Sequence, residues 1–224
     1  MHILRPLSPI INRLVKLYTS SERNFTFHLS DHSNKISVKV KPGVFHPGLY
    51  MSTKILLKFV EGLDLKNKTF LELGAGTGII SILAAKKEAI VYASDISSTA
   101  TENIKLNINE NKVDIKIIKS DLFESFPKVL FDYIIINPPY YTKNPDTEEQ
   151  FAWYCGNDHE FFRKLFLNLP DFINKDSNVF MILSEVCDIE KIKSIGEGNG
   201  FKSDLIQTKT VWGEKNYIYK LEKN

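Results

Sequence analysis

Thr69-Phe70-Leu71-Glu72-Leu73-Gly74-Ala75-Gly76-Thr77-Gly78-Ile79-Ile80 is the stretch on which the fold turns. Thr69–Leu73 is a short apolar strand, and Ile79–Lys86 reads as a helix entered through glycines. Glycines at such a joint let the backbone turn sharply and approach a ligand closely. The helix start beyond them offers unpaired N–H groups that favour a negative group such as a carboxylate. A glycine loop alone is weak evidence, since a bare strand-to-helix turn has the same residues; its place in a βαβ unit gives it weight. A dinucleotide fingerprint wants its third glycine where Ile79 stands, whereas here it is Gly78, one position earlier.

Outward from this loop the pattern alternates. Residues 52–60 precede it as a helix with Ser52 or Thr53 near the N-cap. After it come a strand at 89–94, a helix at 99–109, strands at 113–118 and 133–136, a helix at 160–173 and a strand at 179–183. Such alternation predicts a mostly parallel sheet covered by helices on both faces. Both ends differ. Residues 202–211 and 217–221 flank Trp212-Gly213-Glu214-Lys215 and read as an antiparallel C-terminal hairpin at a sheet edge. At the start, a short amphipathic helix over 10–18 is followed by strands at 24–29 and 36–40 around a turn cluster at 30–34. The predicted class is α/β, a Rossmann-like sandwich, with residues 1–43 as an N-terminal helix and hairpin extension and 44–224 as the main domain.

Two acids sit where strands end. Asp95 closes Tyr92-Ala93-Ser94-Asp95 and can accept hydrogen bonds from both hydroxyls of a ribose. Its plain alternative is a solvated aspartate capping the helix that follows. Asp121, in Ser120-Asp121-Leu122-Phe123, can accept an adenine amino group, with Leu122 as apolar backing and N–H donor; a simple turn aspartate is the alternative.

Tyr133-Ile134-Ile135-Ile136-Asn137-Pro138-Pro139-Tyr140 is the most specific signal in the chain. A buried apolar strand runs into two prolines, which fix φ and donate no hydrogen bond. The outcome is a stiff loop at the carboxyl end of a strand, where open α/β sheets bind ligands. An amide or ring amino nitrogen is a poor nucleophile because its lone pair is delocalised. The Asn137 side-chain oxygen and the Pro138 carbonyl can each take one hydrogen of a target NH₂, aiming the nitrogen at an incoming carbon and favouring positive charge on it. Orientation of this kind supplies up to roughly 7–11 kcal/mol in favourable systems. Tyr140 can stack on the planar group. A proline-rich turn with Asn137 satisfying the backbone is the plain alternative.

These motifs resemble those of class I S-adenosylmethionine-dependent methyltransferases that act on exocyclic nitrogens. Within that group the chain is most similar to HemK-type protein-glutamine methyltransferases, supported by Ala152-Trp153-Tyr154-Cys155-Gly156-Asn157-Asp158 and the helix after it. The resemblance covers residues 44–221. It implies S-adenosylmethionine as cofactor, with S-adenosylhomocysteine as product, bound by Thr53, Glu72, Gly74, Ala75, Gly76, Gly78, Asp95, Ile96, Asp121, Leu122 and Asn137. It implies a catalytic set of Asn137, Pro138, Pro139 and Tyr140. The chain departs from the family at Phe45-His46-Pro47-Gly48, which lacks the usual acidic or arginine residues beside its proline, and at Cys155-Gly156, where the family has paired glycines. Residues 1–40 are too short for the helical N-terminal domain of bacterial members and resemble only its connecting hairpin.

The expected reaction is methyl transfer to a planar amide or amino nitrogen, foremost a glutamine side chain of a protein substrate. The alternatives are an adenine or guanine amino group in RNA or DNA, and a non-catalytic nucleotide- or partner-binding module. The net charge of +2 and pI of about 8.3 are too mild to announce a nucleic-acid binder and tilt the expectation toward protein. Cys155 and Cys187 form no spacing motif, and no apolar run is long enough to span a bilayer, so a cytoplasmic protein with reduced thiols is expected. His28, His32 and His159 do not cluster with the cysteines, so no metal is expected; His46 reads as structural. Lys35, Lys39 and Lys41 share a strand face, solvated by default or else touching substrate. Trp153 and Tyr154 either line a cleft or pack under the loop. The polar stretch 141–150 is long enough for a mobile cover. Monomer and dimer are both open.

Overall fold

A computed structural model describes residues 18–30 and 35–224. The helix expected over 10–18 falls, except for Tyr18, outside the described residues, as do most of the 30–34 turn and His32. Strands β1 (Arg23–His28) and β2 (Lys35–Val40) pair antiparallel as the expected hairpin. Then follow α1 (Met51–Glu61), β3 (Thr69–Leu73), α2 (Ile79–Lys86), β4 (Ile90–Asp95), α3 (Ser98–Asn111), β5 (Ile115–Lys119) and β6 (Tyr133–Ile136). The chain ends with α4 (Glu160–Asn168), β7 (Asn178–Ser184), α5 (Ile189–Gly198), β8 (Phe201–Val211) and β9 (Glu214–Lys223).

The main sheet has the order β5-β4-β3-β6-β7-β9-β8. Its first five strands are parallel, and β9 and β8 add antiparallel. The chain winds outward from β3 through β4 to β5, then returns to the other side of β3 with β6. That reversal opens a crevice beyond the carboxyl ends of β3 and β6, the place where such sheets take ligands. Because Leu73 pairs with Ile136, the glycine loop and the Asn-Pro-Pro-Tyr segment emerge side by side.

Both faces of the sheet are covered, which is why the central strands are apolar throughout. Along β6, Ile135 joins one core cluster with α1, α2 and α3, while Ile134 and Ile136 join the other with α4 and α5. The N-terminal hairpin shares the first cluster through Phe27, Ile36 and Val38. Its open edge is satisfied by asparagines rather than by another strand: the N–H groups of Lys39 and Lys41 donate to Asn107 and Asn103, both 2.8 Å. The side-chain amides of Asn103 and Asn107 return bonds to the Lys39 carbonyl. Four residues apart, they share one helix face, which is buried although polar. The lysine face meets acids on the same helix, Lys39 with Glu110 and Lys41 with Glu102, so two of its three lysines have partners within the protein.

Four local expectations need correction. The N-cap of α1 is Tyr50, extended and without a side-chain cap bond; Ser52 and Thr53 lie inside the first turn, buried. The helix expected over 160–173 stops at Asn168 and continues as a 3₁₀ turn, Leu169–Phe172. Pro170 explains this, since it lacks an N–H and its ring clashes with the carbonyl one turn back. Helix α5 was not expected; the spacing of Ile189, Ile192 and Ile195 is helical, but two glycines obscure it. The C-terminal turn is two residues rather than four, Trp212 and Gly213 at φ 51° and 84°, with Glu214 already in β9.

Candidate active site

The crevice between β3 and β6 holds a cavity of about 440 Å³. It is built from strand ends and the first turn of α1. Thr53, Glu72, Gly74, Ala75, Gly76, Asp95, Ile96, Asp121, Leu122 and residues 137–140 all line it. Gly78, expected among the cofactor residues, lies outside the lining. It is the left-handed N-cap of α2 at φ 74°, and a side-chain carbon there would sit 3.1 Å from Ile104 of α3.

Glu72 is buried behind the loop, its Oε2 accepting the Ser81 N–H (2.8 Å) and hydroxyl. Burial pushes its carboxyl up to about 8, aided by the negative charge of Asp95 and opposed by the Ser81 bonds. Asp95 ties two segments together, accepting the Gly76 N–H on Oδ2 and the Ser97 N–H on Oδ1, both 2.9 Å. Desolvation raises its carboxyl above the ordinary range in spite of those bonds. Asp95 thus braces the cap of the next helix, as its plain alternative had it, but as a desolvated rather than a solvated carboxylate, and it also lines the cavity. Asp121 pairs with Lys164 of α4, which also binds Glu124. Leu122 beside it holds φ 50°, uncommon for a branched side chain, and is buried against the cavity.

On the other wall, Asn137 is half-buried, and Pro138 and Pro139 are buried. The Tyr140 hydroxyl donates to Asn137 Oδ1 (3.1 Å), and Asn137 Nδ2 donates to Ser52 Oγ (3.4 Å). The amide is thereby fixed with its nitrogen toward α1. Its oxygen has two lone pairs, so one remains for a guest N–H after the tyrosine bond. Burial raises the Tyr140 hydroxyl far above its ordinary value, which keeps it a neutral donor. Sequence reasoning missed Ser52, 85 residues from Asn137, because nothing local marks it.

Trp153 and Tyr154 both line the cavity. Trp153 closes an aromatic wall with Phe45 and Tyr50, with ring centres 5.0 and 4.7 Å away. The stretch expected as a mobile cover is a folded loop containing a 3₁₀ turn, Glu148–Ala152. It is pinned where Tyr141 N–H donates to the Trp153 carbonyl and Cys155 N–H to the Tyr141 carbonyl, both 2.9 Å. His46 is buried against the Tyr18 and Phe25 rings and does not itself line the cavity, although Phe45 and Pro47 on either side do. Both cysteines are free and buried, with thiols pushed up to about 11 (Cys155) and about 12 (Cys187). Among the described residues no His, Cys, Asp or Glu group could hold a metal ion, and no helix is long and apolar enough to cross a membrane.

The lining suits a cationic, partly apolar nucleoside. A side-chain carbon on Gly74 would meet no atom within 4 Å, so the loop leaves open space where a ligand must approach the backbone. Acids at three strand ends can take hydroxyl, amino and ammonium donors, and Leu122 and Ile96 give apolar cover. S-adenosylmethionine fits that set, and when bound it supplies an electrophilic methyl group. Asn137 and Pro138 line the same crevice.

The family model for the methyltransferase small domain matches residues 35–154. A Methanocaldococcus jannaschii protein named "Putative protein N5-glutamine methyltransferase" is 35% identical over 171 residues, 72% of this chain and 84% of that one. A Psychromonas ingrahamii protein, ribosomal RNA small subunit methyltransferase C, is 27% identical over 206 residues, 89% of this chain and 56% of its own length. Among solved structures, the E. cuniculi Mtq2–Trm112 complex superposes with a TM-score of 0.59 at 23% identity, covering 81% of this chain and 99% of that one. The T. thermophilus 16S rRNA N2 G1207 methyltransferase, in complex with AdoMet and guanosine, gives 0.61 at 18% identity, covering 92% and 51%. The two structural likenesses establish the fold, and the sequence matches establish the family. The chain belongs to the methyltransferase small-domain family and is an S-adenosylmethionine-dependent methyltransferase with a Rossmann-like fold.

Proposed function

We propose that the chain methylates the side-chain amide nitrogen of a glutamine in a protein substrate, with Asn137, Pro138, Pro139 and Tyr140 holding the amide. Gly74, Ala75, Gly76 and Ile96, with Thr53, Glu72, Asp95, Asp121 and Leu122, hold the cofactor in this reading, and Gly78 shapes the loop. The observation that carries the protein substrate is the charge of the cavity. Glu148, Glu149, Glu160 and Glu214 line it, and Lys164, paired with Asp121, is the one base among the described lining residues. Lys164 also binds Glu124. Nucleic-acid affinity rests on cations that neutralise phosphates, and this mouth offers the opposite sign. The name and extent of the M. jannaschii match support the same target.

The chemistry asks little of the protein beyond position. A glutamine amide is uncharged and planar, and its two N–H bonds match the Asn137 and Pro138 oxygens. Holding both hydrogens favours positive charge on nitrogen as the new bond forms. No strong base is required, because the nitrogen becomes acidic only after transfer.

The E. cuniculi complex is described as responsible for methylating the eRF1 termination factor, which makes a termination factor a first candidate. The test is incubation with labelled cofactor and fractionated cell extract, followed by peptide mapping. Label on a glutamine side chain supports the reading. Label confined to RNA or DNA overturns it in favour of a nucleobase amino group.

A further inference from the structure

Two polar residues of the cavity belong to none of the motifs above. Because β9 runs antiparallel to β7, its first residues lie beside Ser184, the last residue of β7, at the edge where the parallel strands end. Glu214 and Asn216 are two apart on β9, share one face, and both line the cavity. Asn216 is 2% exposed, and its side-chain oxygen has no hydrogen-bond partner. Its amide nitrogen is turned to the Glu214 carbonyl at 3.5 Å. A buried amide oxygen without a donor is costly and calls for a reason. Glu214 accepts the Ser184 hydroxyl and keeps further lone pairs. Burial is the main cause that raises the Tyr140 and Tyr141 hydroxyls, and the Glu214 charge adds to it, so Glu214 lies within electrostatic reach of the motif. In the turn feeding β9, Trp212 stays 69% exposed while lining the same cavity.

We propose that Glu214, Asn216 and Trp212 form a substrate subsite that grips the polypeptide on either side of the methylated glutamine. This rests on the protein-glutamine reading and adds the part of the site that chooses among glutamines. The carboxylate and the unpartnered amide oxygen are acceptors only, so the matching chemistry is N–H donors from main-chain amides next to the target. A carboxylate strengthens such bonds and favours basic side chains nearby. The Trp212 indole offers a broad flat face to the neighbouring residue.

The test uses the full chain and the protein labelled by the wild type in cell extract. Asn216→Leu keeps the size of the side chain and removes the acceptor; Glu214→Gln removes the charge. Both are expected to raise KM for the protein substrate about tenfold, with S-adenosylhomocysteine affinity by calorimetry unchanged and the melting temperature not lowered. Asn216→Leu and Trp212→Ala combined should raise it further. If a glutamine is labelled and KM is unchanged in both single variants, the subsite is wrong and the glutamine reading stands. If label enters only RNA, the glutamine reading is wrong and the subsite falls with it.

Discussion

Asn137 connects the two halves of the site: Ser52 of α1 receives its amide N–H, and the Tyr140 hydroxyl binds its oxygen. In the proposed reading it acts chiefly on the reacting nitrogen, so Asn137→Ala should lower kcat about a hundredfold or more while cofactor affinity stays within a few-fold. Single-turnover transfer and calorimetry separate the two effects, and turnover surviving in the variant would remove the residue from catalysis. Glu72 makes a different prediction, about pH. Its carboxyl lies at about 8 when folded against 4.5 as the ordinary value. The folded state therefore keeps a proton that the unfolded state has lost. The neutral acid's full contribution is present below the lower value, and it drains away as pH rises toward the upper one, by up to ~1.4 kcal/mol per unit. Denaturant midpoints should show wild type losing stability relative to Glu72→Gln between pH 5 and 8. A gap that does not vary with pH contradicts the assignment.

At the scale of elements, the joint between β3 and α2 depends on Gly78. Its φ of 74° strains any side chain, and a carbon there would sit 3.1 Å from Ile104, so that neighbour would have to give. Gly78→Ala should cost about 1–3 kcal/mol of stability, from strain and overpacking together. Urea unfolding measures it, and a neutral change would mean that the loop is not held as described. The elements legible in the sequence were those whose signals are local. Glycine and proline punctuation bounded β3, α2 and β6 to the residue. Helix α5 was not read because Gly196 and Gly198 weaken its pattern, although Gly196 sits where Phe166 comes within 3.0 Å of its missing side chain. The same limit applied to the site. Strand-end residues announced themselves, whereas Ser52, Glu214 and Asn216 arrive from distant segments that only the sheet order brings together.

Across the whole molecule, one topological fact organises the chemistry. The order in which strands are added reverses at β3, with β4 and β5 on one side and β6 on the other, so the glycine loop and the Asn-Pro-Pro-Tyr segment open into the same cavity. The antiparallel hairpin β8–β9 then brings a third wall to that cavity from the far end of the sequence. The N-terminal hairpin contributes by packing, through Phe27, Ile36 and Val38 and the asparagines of α3, rather than by lining the site. The most direct measurement is a crystal structure of the chain with S-adenosylhomocysteine. The account predicts the ribose on Asp95, the adenine beside Asp121 and Leu122, and the sulfur turned toward the Asn137 and Pro138 oxygens. A ligand bound elsewhere, or with its sulfur facing away from that corner, would contradict it.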